Sequence, residues 1–81
     1  MKLNETVEMM NSIDYKERFQ AEYLQLKIRL NGLKEMLEKW DYGTLTFTPT
    51  CPRSTYTMQV RAMAEYMAIL EARAVMEGIK L

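Results

Sequence analysis

Histidine is absent from this 81-residue chain, and cysteine occurs once, at Cys51. Without an imidazole, the serine triad and the usual general base near neutral pH lose their proton carrier. A single cysteine leaves no intrachain disulfide. With no histidine beside it, a tetrahedral zinc site lacks its ligands. Net charge is missing too, since 11 Lys and Arg balance 11 Asp and Glu. A balanced chain has no bulk positive field to hold long DNA or RNA by counterion release. No run of 18 apolar residues is available to span a membrane. The opening residues Met1-Lys2-Leu3-Asn4-Glu5-Thr6 lack the apolar stretch of a signal peptide. An unpaired cysteine and no export signal point to a cytoplasmic protein.

Proline and glycine are scarce, at two and three residues. What remains is rich in helix formers. A chain of 9.6 kDa is one thin domain, burying only about 60% of its unfolded surface. Folds this small usually need a disulfide, a metal or self-association. With the first two removed, self-association is expected.

Apolar periodicity predicts an all-α fold: an antiparallel two-helix hairpin over residues 14–81, preceded by an N-terminal segment or short helix over 1–13. The first long helix is expected over 14–40, with Asp14 as N-cap and Glu17 as its capping-box partner. Its seam is Phe19, Tyr23, Leu26, Leu30, Leu33, Leu37 and Trp40, alternating steps of four and three. The second helix is expected over 52–77, with Pro52 at its first position and Gly78 as its stop. Its seam is Tyr56, Val60, Met63, Met67, Leu70 and Ala74. Each helix carries a second stripe: Ala21, Leu24 and Ile28 on the first, and Ala62, Tyr66, Ile69 and Met76 on the second. One hairpin cannot bury two stripes per helix. Either the N-terminal residues Val7, Met9, Met10 and Ile13 cover a stripe, or a second subunit does. Gly32 interrupts the first helix at a cost of about 1 kcal/mol against Ala, and suits close approach by a backbone or ligand.

The linker over 41–51 alternates Thr44, Thr46 and Thr48 with Leu45 and Phe47, a period-2 pattern that predicts extended chain. Pro49 keeps Thr48 out of the helical region. Leu45 and Phe47 are expected to point inward. No acidic residue lies between Tyr42 and Ala64, while Arg53 and Arg61 do.

Catalysis finds little support. The pairs Glu35 with Glu38, and Glu17 with Glu22, lie in polar helix contexts that do not raise a carboxyl pKa. Glu17, Glu38 and Glu71 instead suit ion pairs along their helices. Cys51 has no base beside it in the sequence. An anion site is the sharper reading. Thr50, Cys51, Arg53 and Ser54 surround the start of the second helix, where free N–H groups and the positive dipole end favour a phosphate, and Thr48 of the linker joins the candidate ligand-binding set. Arg53 offers a bidentate donor, Tyr56 and Phe47 can stack a base, and Arg61 follows further along the helix. Lys27 and Lys34, one heptad apart, either form a solvated face or flank a pocket between subunits. The plain alternative is a capped helix with exposed arginine. No cofactor is implied.

Several of these residues carry a resemblance. Glu17-Arg18-Phe19, Glu22-Tyr23, Leu33, Leu37, the run Phe47-Thr48-Pro49-Thr50-Cys51-Pro52, Gln59, Ala62-Met63, Tyr66, Leu70-Glu71, Arg73 and Glu77-Gly78-Ile79 resemble a family of small tailed-phage proteins related to a crAss-like phage protein. In size and architecture the chain is also similar to phage anti-CBASS sponges, homo-oligomers that cage cyclic oligonucleotide immune signals between subunits without cleaving them. The resemblance implies a non-enzymatic sponge in the host cytoplasm, a homo-tetramer or hexamer binding a cyclic di- or trinucleotide. It transfers no binding residue to this chain. The alternative is an oligomeric helical phage protein that binds a host or phage protein through its methionine-rich face.

Overall fold

The computed structural model describes residues 1–81 and is helical throughout, with no strand. A 3-10 turn over Leu3–Thr6 runs into a short helix α1, Val7–Met10. Two long helices follow, α2 over Tyr15–Asp41 and α3 over Arg53–Glu77. No helix is long and apolar enough to cross a membrane.

Local chemistry sets the helix ends. The Asp14 side chain accepts a hydrogen bond from the Lys16 N–H at 3.0 Å. The return bond of a capping box is made by Ser12, not Glu17: the Ser12 hydroxyl accepts from the Asp14 N–H at 3.1 Å. Arg18 secures this turn by donating to the Ser12 carbonyl at 2.7 Å. Pro52 sits one residue outside α3 as its N-cap, in extended backbone. At the far end Gly78 takes φ 68°, a left-handed conformation that glycine adopts without a Cβ penalty. The chain turns there, the Ile79 N–H bonds the Ala74 carbonyl at 2.8 Å, and the Ile79 side chain enters the core.

The long helices run antiparallel. Gln20 near the start of α2 donates to the Lys80 carbonyl at 2.8 Å. Asp41 at the other end of α2 meets Arg53 at the start of α3. Both predicted seams face each other, every seam residue being buried or half-buried. The core proper lies toward the α2 N-terminus, where Phe19, Leu26, Leu70, Ala74 and Ile79 cluster against Tyr23, Met63 and Met67. Arg73 covers the Phe19 ring at 4.8 Å from its centroid and pairs with Glu77 at 2.8 Å. Neither Glu17 nor Glu38 makes an ion pair, and Glu71 accepts the Tyr23 hydroxyl at 2.9 Å.

The second stripes have different fates. On α2 the N-terminal turns cover the stripe: Gln25 donates to the Thr6 hydroxyl at 3.0 Å and meets the Met10 sulfur. Ala21, one turn earlier on that face, is fully buried. On α3 nothing covers the stripe, and Tyr66, Ile69 and Met76 remain exposed.

The linker departs from expectation. It forms no extended strand but bends at Thr46–Phe47 and again at Thr50–Cys51. An isolated strand has no ladder partner in one chain, so its backbone turns to stay hydrated. Leu45 is half-buried, whereas Phe47 points outward and is 56% exposed. Leu70→Ala should therefore destabilise the fold by about 2–5 kcal/mol, and Phe47→Ala by less than about 1 kcal/mol. Chemical denaturation checks both values.

Candidate functional site

The core ends before the linker does, and an open groove of about 580 Å³ separates α2 from α3 at that end. Leu37 and Val60 supply its apolar lining. Asn31, Lys34, Glu35, Glu38 and Asp41 line it from α2, and Arg53 and Thr57 from α3. The α2 residues share a side because steps of three, four and seven return to one helix face.

Arg53 is held in place within this groove. Its Nε and Nη2 donate to the two Asp41 carboxylate oxygens, each at 3.2 Å. Nη1 donates to the Thr57 hydroxyl at 2.7 Å. This fork-to-fork pair closes the linker loop and neutralises Arg53. The residues are 37% and 59% exposed at the side chain, so the pair contributes at most about 1 kcal/mol. Lys34 is then the groove's free cation, since the chain's ion pairs are Arg53–Asp41 and Arg73–Glu77. A neighbouring cleft holds Lys27 with Leu24, Ile28 and Gly32, and meets the groove at Asn31 and Glu35. Gly32 has no atom within 4 Å of where a Cβ would stand, so nothing in this chain requires glycine there.

The other predicted residues scatter. Tyr56 does not share the groove with Arg53. Residues three apart are about 60° apart around a helix, and four apart about 40° on the other side; the groove takes Thr57 rather than Tyr56. Tyr56 instead packs edge-on against Trp40, with centroids 5.9 Å apart. Phe47 lines a separate cleft with Gly32, Met36 and Lys39. Thr48, Thr50, Ser54 and Arg61 are exposed and line none of these clefts. No side-chain cap occupies the first amides of α3. Sequence reasoning missed Asp41, one residue before the acid-free stretch, and Thr57, the i+4 neighbour of Arg53.

The Sequestin family model matches residues 13–76. The chain belongs to the Sequestin family. The Sequestin match takes in α2, the linker and nearly all of α3, and so contains the groove, the Arg53–Asp41 pair and the Trp40–Tyr56 contact. The N-terminal turns that cover α2 lie outside it. No curated protein and no solved structure matches the chain.

Three groups, all within the Sequestin-matched residues, have displaced pKa values, all raised. The Tyr56 hydroxyl is raised chiefly by its hydrogen bond with Cys51, and next by burial. Arg73 is raised chiefly by its hydrogen bond to Glu77. Tyr23 is raised by burial first, then by its bond to Glu71. Each shift moves the group away from neutrality, opposite to what a general base needs. For Tyr23 the folded pKa exceeds the unfolded value near 10. Its stabilisation is therefore complete below about pH 10 and is lost as pH rises through the folded value. Unfolding free energies from urea titration of wild type and Tyr23→Phe should differ by about 1 kcal/mol at about pH 8 and converge in alkali. A gap that widens in alkali would contradict the assignment.

Proposed function

We propose that this protein is a phage anti-defence sponge: a homo-oligomer, tetrameric or hexameric, that sequesters a cyclic di- or trinucleotide immune signal in the host cytoplasm without cleaving it. The observation that carries this reading is membership of the Sequestin family, whose name denotes sequestration. The groove supports it by bringing together Lys34, Arg53, Asn31 and Thr57 beside an apolar wall, the mixture that a nucleotide's phosphate, sugar and base require.

Charge sets a condition on this reading. The groove carries two cations, Lys34 and Arg53, against three carboxylates, Glu35, Glu38 and Asp41. One chain thus offers a phosphate no net attraction. Holding one requires Arg53 to leave Asp41, or cations from a second copy, such as Lys27, to complete the cage. The ligand-binding set centres on Lys34, Arg53 and Lys27. Phe47 and Tyr56 are the available stacking rings, and Thr48, Thr50, Ser54 and Arg61 act only if the assembly brings them in. A second reading, an interaction protein binding a host or phage protein, is favoured by the exposed apolar face of α3.

The test is to incubate the protein with a panel of cyclic di- and trinucleotides, remove it by heat, and assay the released ligand. Depletion followed by intact recovery supports the sponge; conversion means an enzyme; no depletion favours the interaction protein. Mutants sharpen it. Lys34→Glu should weaken binding at least about tenfold, on the scale of a charge-assisted contact. Asp41→Asn, which frees Arg53, should tighten it. If Asp41→Asn weakens binding while the fold stays intact, Arg53 is not a phosphate ligand.

A further inference from the structure

Helix α3 is apolar around more of its circumference than its one contact uses. The inner seam meets α2, and the far side presents Met58, Ala62, Tyr66, Ile69 and Met76 to solvent. Met58, Ile69 and Met76 are 69%, 59% and 76% exposed. Ala64, Ala68 and Ala72 fill much of the rest of the surface with small side chains. A helix apolar on nearly all sides belongs inside a packed assembly. The contrast with α2 is instructive, because its second stripe is covered from within the chain by Gln25 against Thr6 and Met10. With 9 of 81 residues buried, a single chain has little core to spare.

We propose that the outer face of α3 packs antiparallel on the same face of a second copy, about a two-fold axis. Charge identifies the occupant as another copy of this chain. Arg61 and Glu65 lie one turn apart on one flank of the face, and neither makes an ion pair within the chain. Two-fold antiparallel pairing sets like flank against like flank, so residue i meets j and j meets i. Arg61 then faces the partner's Glu65, and Glu65 faces the partner's Arg61. The face is complementary to itself. The two α3 helices become the centre of a four-helix arrangement, each α2 lies outside, and both grooves stay open. This pairing stands whether or not the groove holds a nucleotide.

The test is sedimentation equilibrium on the full chain. Wild type should sediment as a multiple of the 9.6 kDa protomer. Arg61→Glu and Glu65→Arg should each weaken self-association about tenfold or more, and the double swap should restore it. Ile69→Glu should give helical monomer, and if that variant fails to fold, Met58→Glu on the same face serves instead. A monomeric wild type overturns this pairing together with the oligomeric part of the proposed function. An oligomeric wild type in which the double swap fails to recover overturns the pairing alone.

Discussion

The apolar seam between α2 and α3 is the contact on which everything else in this molecule rests. Leu70, 1% exposed, lies at its heart. With no disulfide and no metal cluster, burial along this one line must offset most of the entropy of ordering the chain. The seam is unevenly filled. Toward the α2 N-terminus it recruits Phe19 and, by way of the Gly78 turn, Ile79. Toward the linker the helices part, with Leu37 and Val60 lining the groove and Trp40 meeting Tyr56. The groove exists because packing gives out there, and the Arg53–Asp41 pair bridges the two helices at that end.

Placement of charge follows from the same asymmetry. A buried Arg would have been neutralised at the expense of fold stability. At the open end Arg53 stays partly hydrated, so its bond to Asp41 contributes little, and in the proposed reading it is exchanged for a ligand. A site built on exchangeable pairing suits reversible capture better than bond cleavage, which needs a group poised near neutral pH.

Much of the fold was legible in the sequence because heptad spacing reports burial directly. All thirteen seam residues, from Phe19 to Trp40 and from Tyr56 to Ala74, are buried or half-buried as the spacing required. Glycine likewise marked the end of α3, with Gly78 at positive φ. The site was less legible. Absence of acid between Tyr42 and Ala64 suggested a free Arg53, but pairing is decided in space, and the hairpin folds Asp41 back onto it. Arg53 and Tyr56 look adjacent in sequence yet point to different neighbours. The alternating threonines suggested an inward Phe47, but period-2 patterning specifies a face only when a neighbouring strand exists. Coverage of α2 and not α3 was also undetermined, because either stripe could have received the N-terminal turns.

The central claim is stoichiometric capture by a protein with no turnover. Calorimetric titration of a cyclic dinucleotide or trinucleotide into the intact protein tests it most directly. The account requires a saturable heat at no more than one ligand per chain, after which further injections give only dilution heat. Heat that persists after saturation and grows with incubation time would show turnover, and no binding heat with any member of the panel would contradict capture altogether.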